Sequence, residues 1–306
     1  MKILILGSTG LVGSSIVRNF EKNKNFSKII SPTRRTLNLF DFNNVEKFII
    51  DNKPDVIVNA AAKVGGILAN NTYRADFILE NLKINTNLLE AIINFPQIKV
   101  INLGSSCIYP LNASNPIKES SILTGELEKT NSPYAMAKLA AIELGKSISF
   151  QYGHKIINLM PTNLYGPNDN FSEKESHVIP GLMGRMHKSK ITYESSFSVW
   201  GTGKPLREFL YVDDLSDAIN FILENNIEDE LINIGSGEEV SIEDLVTSLM
   251  KIIKFNGDII FDNKYPDGNP RKLLDSSKIN SYGWFAKTNL EKGLELTYES
   301  YLKRFN

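Results

Sequence analysis

The sequence predicts an α/β fold: a doubly wound parallel sheet carrying a smaller mixed α/β lobe towards its carboxyl-terminal end. Three observations predict it. Short apolar runs at residues 3–6, 55–62, 99–103 and 156–161 alternate with helical patterns, the order of parallel strands joined by helices. The runs end in glycines or small polar residues, as they do where an open α/β sheet binds ligands beyond its strand ends. After residue 165 the alternation breaks into a less regular stretch. The expected division is therefore residues 1–165, rejoined by 206–234, as the larger lobe, with 166–205 and 235–306 as a smaller, less regular one.

Composition narrows the function classes. A chain of 306 residues with 42% hydrophobic and 23% charged content can bury a full core and is ordinary for a globular protein. Its formal net charge of −1 argues against a general nucleic-acid or membrane surface. A single cysteine, Cys107, excludes an intramolecular disulfide framework, and the 3 histidines are too far apart for a zinc-type cluster. No apolar stretch approaches the roughly 20 residues a membrane helix needs. A metal-free cytoplasmic protein is expected.

Residues 3–6 lead into Gly7, Ser8, Thr9, Gly10, Leu11, Val12 and Gly13, followed by the helical spacing of Ile16, Val17 and Phe20. Strand, glycine turn and helix in that order form a Rossmann-type unit, in which glycines let the backbone approach a pyrophosphate resting on the helix amino terminus. The second strand, residues 28–31, ends at Thr33, Arg34 and Arg35, with no carboxylate before Asp41. An NAD-specific site would carry an acidic residue there, whereas Arg34 suits the 2′-phosphate of NADP.

The third strand, residues 55–62, delivers Gly65 and Gly66 to the crevice, and the apolar stripe over 75–95 predicts a helix serving either the core or a copy of itself in a dimer. The fourth strand, 99–103, ends at Gly104, Ser105 and Cys107; taken alone, Cys107 reads as a small buried hydrophobe. Ser132 and Pro133 mark a helix start that puts Tyr134 and Lys138 at i and i+4 on one face. The spacing predicts an ammonium that lowers the phenol's pKa. Ser105, Tyr134 and Lys138 then make a carbonyl-reducing triad.

The fifth strand, 156–161, ends at Pro161, which is expected to interrupt pairing. His177 lies in a loop-like stretch and on its own reads as a satisfied polar residue. A tight loop over 199–205 is expected to return residues 207–212 to the main sheet. Asp213 and Asp214 then cap a helix, and Ser241 opens another with a capping-box pattern. Residues 266–272 form a polar turn able to carry Asp267 and Arg271 to an anionic ligand, and a helix over 290–302 closes the chain.

The assembled motifs resemble the GDP-L-fucose synthase family of extended short-chain dehydrogenase/reductases. The resemblance runs from residue 1 to about 302 and rests on 60–75 (AAAKVGGILANNTYRA), 104–110 (GSSCIYP), 130–138 (TNSPYAMAK), 160–171 (MPTNLYGPNDNF), 176–180 (SHVIP), 200–214 and 266–275 (PDGNPRKLLD). It implies a Rossmann lobe for NADPH, a smaller lobe for a GDP-linked 4-keto-deoxysugar, and a homodimer built on two long helices per subunit. It also implies C3 and C5 epimerisation with Cys107 as base and His177 as acid, and C4 reduction with Tyr134 as proton donor aided by Ser105 and Lys138. Cofactor contacts map onto 7–13, Arg34, Leu103, Gly104, Lys138, Pro161, Thr162, Asn163, Leu164 and His177. Substrate contacts map onto Arg185, Trp200, Arg207 and Asp267. Arg74, Gly184 and residues 189–198 depart from the family pattern. The open alternatives are a C4 reductase of a related sugar, such as a GDP-6-deoxy-4-keto-heptose in surface-polysaccharide biosynthesis, and a nucleotide-binding regulator without catalysis.

Overall fold

The computed structural model of the chain describes residues 1–172, 175–265 and 267–305. The elements run β1 (Lys2–Leu6), α1 (Leu11–Phe20), β2 (Lys28–Ile30), α2 (Phe42–Asn52), β3 (Val56–Asn59), α3 (Ile67–Thr72), α4 (Arg74–Ala91), β4 (Lys99–Leu103) and α5 (Ser132–Tyr152). They continue with β5 (Ile156–Pro161), β6 (Asn163–Tyr165), α6 (Val178–Ile191), β7 (Ser196–Trp200), β8 (Leu206–Tyr211), α7 (Val212–Glu224), β9 (Leu231–Ile234), β10 (Glu239–Ser241), α8 (Ile242–Ile253), β11 (Asp258–Asp262), β12 (Arg271–Lys272), α9 (Ser277–Ser281) and α10 (Leu290–Phe305).

A six-stranded sheet in the order β2-β1-β3-β4-β5-β9 is parallel throughout. Ile3 and Ile5 pack with Ile16 of α1 and with Leu215 and Ile219 of α7. Leu4 and Leu6, on the other face, pack with Val45 of α2 and with Ile84 and Leu88 of α4. Both faces of β1 are covered, which is why it reads as one continuous apolar run.

Buried asparagines lie across this apolar sheet. Asn59, Asn102 and Asn158 stand in register on β3, β4 and β5. Asn59 donates to Asn102 at 3.0 Å and to Asn85 of α4 at 3.1 Å, and Asn102 donates to Asn158 at 3.1 Å. A slip of one residue would aim every amide at the other face, so the ladder pins strand register. Replacing Asn102 by Ala strands a donor and an acceptor, and an unfolding free-energy loss of about 3 kcal/mol is expected in urea denaturation. A loss below about 0.5 kcal/mol, the size of an ordinary surface substitution, would remove the ladder from the account.

The smaller part holds the sheet β10-β8-β12, with β6 pairing β8, and a separate β11-β7 pair. Its core joins Phe197, Val199, Phe209, Leu245, Leu249 and Leu294. Three expectations are corrected here. Residues 206–211 do not rejoin the main sheet, because β9 already occupies the open edge of β5, and β8 pairs with β6, β10 and β12. Pro161 does not interrupt pairing: it sits opposite Ile234, and the Thr162 N–H donates to the Ile234 carbonyl at 3.0 Å. Side alternation along the strand turns the missing Pro161 donor away from β9, towards the end of β4. Asp213 and Asp214 do stand in the first turn of α7, where they suit its dipole, but they tie segments together instead of capping it. Asp213 pairs with Arg18 at 2.8 Å, and Asp214 accepts from the Thr288 N–H at 3.0 Å. Ser241 does cap α8, accepting from the Asp244 N–H at 3.0 Å.

Among the described residues no helix is long and apolar enough to cross a membrane, and no group of three or more His, Cys, Asp or Glu side chains is placed to hold a metal ion.

Candidate active site

The glycine turn is built for close approach. Gly7 has φ +76°, and a Cβ there would lie 2.7 Å from the Ala60 carbonyl oxygen; one on Gly13 would lie 2.1 Å from the Gly7 carbonyl oxygen. The turn therefore folds tightly onto β3 and onto the first turn of α1. Gly10 is the N-cap of α1 and supplies no side-chain acceptor, so the first-turn amides of Leu11, Val12 and Gly13 form a cradle for an anion. Ser8 donates to the Pro32 carbonyl at 3.0 Å, fastening the turn to the end of β2 beside Thr9. Just beyond, Arg34 and Arg35 are exposed, and the Arg34 guanidinium lies 5.5 Å from the Phe40 ring centroid. This combination fits a dinucleotide carrying an additional phosphate.

The candidate reacting groups converge where β4 ends. Lys138, buried on α5, donates from Nζ to the Leu103 carbonyl at 2.7 Å and lies 5.8 Å from the Tyr134 ring centroid. Tyr134 is buried edge-on against Phe77, with centroids 6.3 Å apart. After Gly104, whose N–H donates to the Leu159 carbonyl at 2.8 Å, Ser105 caps a short 3₁₀ turn by accepting the Cys107 N–H at 3.2 Å. That turn packs Cys107 against Ala69, Phe77 and Tyr134.

The electrostatics differ from the expectation drawn from spacing. Burial, reinforced by the neighbouring sulfur, holds the Tyr134 phenol above its ordinary range, and the Ser105 hydroxyl only partly offsets this. Burial also pushes Lys138 down to about 8. The ammonium is committed to the Leu103 carbonyl, so the i, i+4 spacing brings it near the tyrosine ring without making it the dominant influence on the phenol.

His177 is the N-cap residue of α6 and stays accessible to solvent, while desolvation by the protein around its ring lowers its imidazole. Its segment is held to the crevice at Gly66, whose N–H donates to the Glu175 carbonyl at 3.0 Å and whose Cβ would lie 2.4 Å from the Ser176 carbonyl oxygen. Beyond Pro161, the Thr162 hydroxyl and the Asn163 amide both donate to the Glu208 carbonyl, and Leu164 packs on the sheet core.

A second group gathers in the smaller part. The Arg185 guanidinium lies 5.1 Å from the Phe197 ring centroid and 5.7 Å from that of Trp200, and donates to the Ser198 carbonyl at 3.3 Å. Asp267 accepts from the Thr202 N–H and hydroxyl, which hold its carboxyl below the usual range. Arg207 is half-buried; desolvation lowers its pKa against the opposing pull of Asp267 and Cys107. Arg271 does not join this group, because it is paired with Glu239 at 2.9 Å. Pro266, the first residue of the expected turn, lies outside the described residues.

Three residues of the site were not singled out from the sequence. Tyr265 stacks on Trp200 at 4.5 Å and 17°. Lys272 donates to the Cys107 sulfur at 3.6 Å. Glu208, fully buried, accepts from the Gly237 and Leu274 amides and locks the strand that carries Arg207. A glutamate between two strand residues, next to an arginine, was the available signal for the last.

A glycine cradle on a parallel sheet, with a buried Tyr–Lys helix and a serine at the neighbouring strand end, defines a short-chain dehydrogenase-like site. The chain belongs to the NAD dependent epimerase/dehydratase family, whose model matches residues 3–235. Within it, the chain is 49% identical over 302 residues to GDP-L-fucose synthase 1 of Arabidopsis thaliana, covering 99% of this chain and 93% of that one. Among solved structures it is similar to a GDP-6-OMe-4-keto-L-xylo-heptose reductase from C. jejuni, with 32% identity, a TM-score of 0.92 and coverage of 99% and 98% of the two chains. It is also similar to a GDP-L-fucose synthetase from Naegleria fowleri bound to NADP, with 27% identity, a TM-score of 0.90 and coverage of 99% and 94%.

Proposed function

We propose that the chain is an NADPH-dependent epimerase-reductase that converts GDP-4-keto-6-deoxy-D-mannose to GDP-L-fucose. The observation that carries this reading is Cys107: a thiol beside Tyr134, with cationic side chains around it, is a proton-transfer group that carbonyl reduction alone does not require. The substrate's 4-keto group acidifies the hydrogens on C3 and C5. Cys107 removes each proton, the electron pair delocalises onto O4, and His177 returns a proton to the opposite face. Ser105 and Tyr134 hold O4. Bound NADPH supplies the hydride for C4. Tyr134 then protonates O4, and its raised pKa keeps the phenol loaded with its proton at neutral pH. Lys138, still mostly charged at neutral pH, stabilises the phenolate as it forms.

Gly7, Ser8, Thr9, Gly10, Leu11, Val12 and Gly13 hold the pyrophosphate, with Leu103, Gly104 and residues 161–164 along the rest of the dinucleotide. Arg34 takes the 2′-phosphate, so Arg34→Ala is expected to lower the NADPH-over-NADH preference in kcat/KM by at least about tenfold. An unchanged ratio would relocate the phosphate contact. Arg185 and Arg207 meet the diphosphate, Trp200 stacks on the nucleotide and Asp267 accepts from it. Exposed apolar residues Leu79 on α4, and Met136 and Phe150 on α5, support a homodimer through these helices.

The test is incubation with GDP-4-keto-6-deoxy-D-mannose in deuterated water without NADPH, read by NMR. Deuterium at C3 and C5 is the expected result. No incorporation, with NADPH still consumed when added, would replace the reading with the second one, a C4 reductase, although the chain is less similar to the heptose reductase, at 32% identity, than to the GDP-L-fucose synthase, at 49%.

A further inference from the structure

We propose that Lys272 is the positioning residue that pairs its ammonium with the Cys107 sulfur and keeps that sulfur anionic for proton abstraction. The inference deepens the epimerase reading above and rests on it. A thiol that keeps its hydrogen cannot accept one from carbon, so a cysteine base must work as the thiolate. Cys107 is half-buried against Ala69, Phe77 and Tyr134, an apolar setting that opposes a lone anion. Among the described residues, the titratable and charged groups facing it come from three elements: Lys272 on β12, 3.6 Å from the sulfur, Arg207 on β8, and the Tyr134 phenol on α5. Arg207 is shared with Asp267, which draws on the same charge. Lys272 is the cation in hydrogen-bond contact with the sulfur.

β12 and β8 pair in parallel, Lys272 opposite Arg207, so the two side chains leave the same face of the smaller sheet, Lys272 meeting the sulfur and Arg207 acting on it through its charge. In each epimerisation the sulfur takes the proton from carbon while the electron pair stays on the substrate. His177 delivers a proton to the other face and takes a replacement from solvent, and the cysteine proton leaves to solvent, so both groups are reset for the second carbon. Lys272 transfers no proton and no electron; it supplies the charge against which the thiolate is restored.

Because the chain has 1 cysteine, alkylation measured on the whole protein reads Cys107 alone. Iodoacetamide rates across a pH series, followed by intact mass, compare the wild type with Lys272→Met, Lys272→Gln and Lys272→Arg. Both neutral variants are expected to react about tenfold more slowly at neutral pH while keeping the alkaline plateau, because the thiolate fraction falls when an adjacent cation is removed. Lys272→Arg is expected to keep the wild-type profile. Superimposable profiles for the wild type and a folded neutral variant would overturn the proposal. So would a wild-type profile whose midpoint lies above that of a free cysteine peptide, a comparison that stands even if the neutral variants do not fold. The measurement uses no sugar, so a wild type that fails to exchange deuterium removes the epimerase reading, whereas unchanged alkylation removes the Lys272 assignment.

Discussion

Tyr134→Phe is expected to slow C4 reduction by about 10²- to 10⁴-fold, the usual worth of a positioned proton donor. Phenylalanine keeps the ring, its burial and the edge-on packing against Phe77, and removes the hydroxyl that Ser105 engages. NADPH binding is expected to stay within a few-fold of the wild type, because the glycine turn and the Lys138 contact to the Leu103 carbonyl do not depend on the phenol. Deuterium exchange at C3 and C5 is expected to continue with Ser105 alone on O4, slowed far less than reduction. NADPH oxidation and cofactor titration on the same preparation decide the matter. Turnover near the wild-type level would mean that another group protonates O4.

Cys107→Ser is the complementary experiment. The hydroxyl is close to the thiol in size and can occupy the turn capped by Ser105, but it ionises far less readily, so the base is lost while the pocket is kept. Exchange at C3 and C5 is expected to fall by about 10²- to 10⁴-fold. Reduction of a keto-sugar already inverted at both carbons is expected to change little, because Ser105, Tyr134 and Lys138 remain in place. Equal losses in both assays would show that the sulfur serves the architecture of the site and not a separate proton transfer. Together the two variants separate the two halves of the proposed reaction.

Much of the sheet was legible because its signals lie in consecutive residues. β4 and β5 fall on the expected residues, and α5 starts at Ser132 with Pro133 in its first turn. The pairing of β8 was not legible. Its apolar residues satisfy either sheet, and the choice depended on β9, encoded later in the chain, having filled the edge of β5. Arg271 was misplaced for a similar reason: a basic residue in a polar turn suits an anionic ligand as well as it suits Glu239, and the β8 neighbours brought the glutamate to it.

The site divides along the same line. By itself the sequence determined the glycine turn after β1, the Tyr134–Lys138 helix face, the hydroxyl and thiol at the end of β4 and the family these motifs mark, since each is a local pattern whose spacing dictates its geometry. Tertiary structure alone decided that burial raises the Tyr134 phenol, that Tyr265 stacks on Trp200, and that Lys272 meets a sulfur 165 residues away. Desolvation and charge pairing depend on everything that packs around a group, and those neighbours come from distant parts of the chain that only the folded sheet brings together.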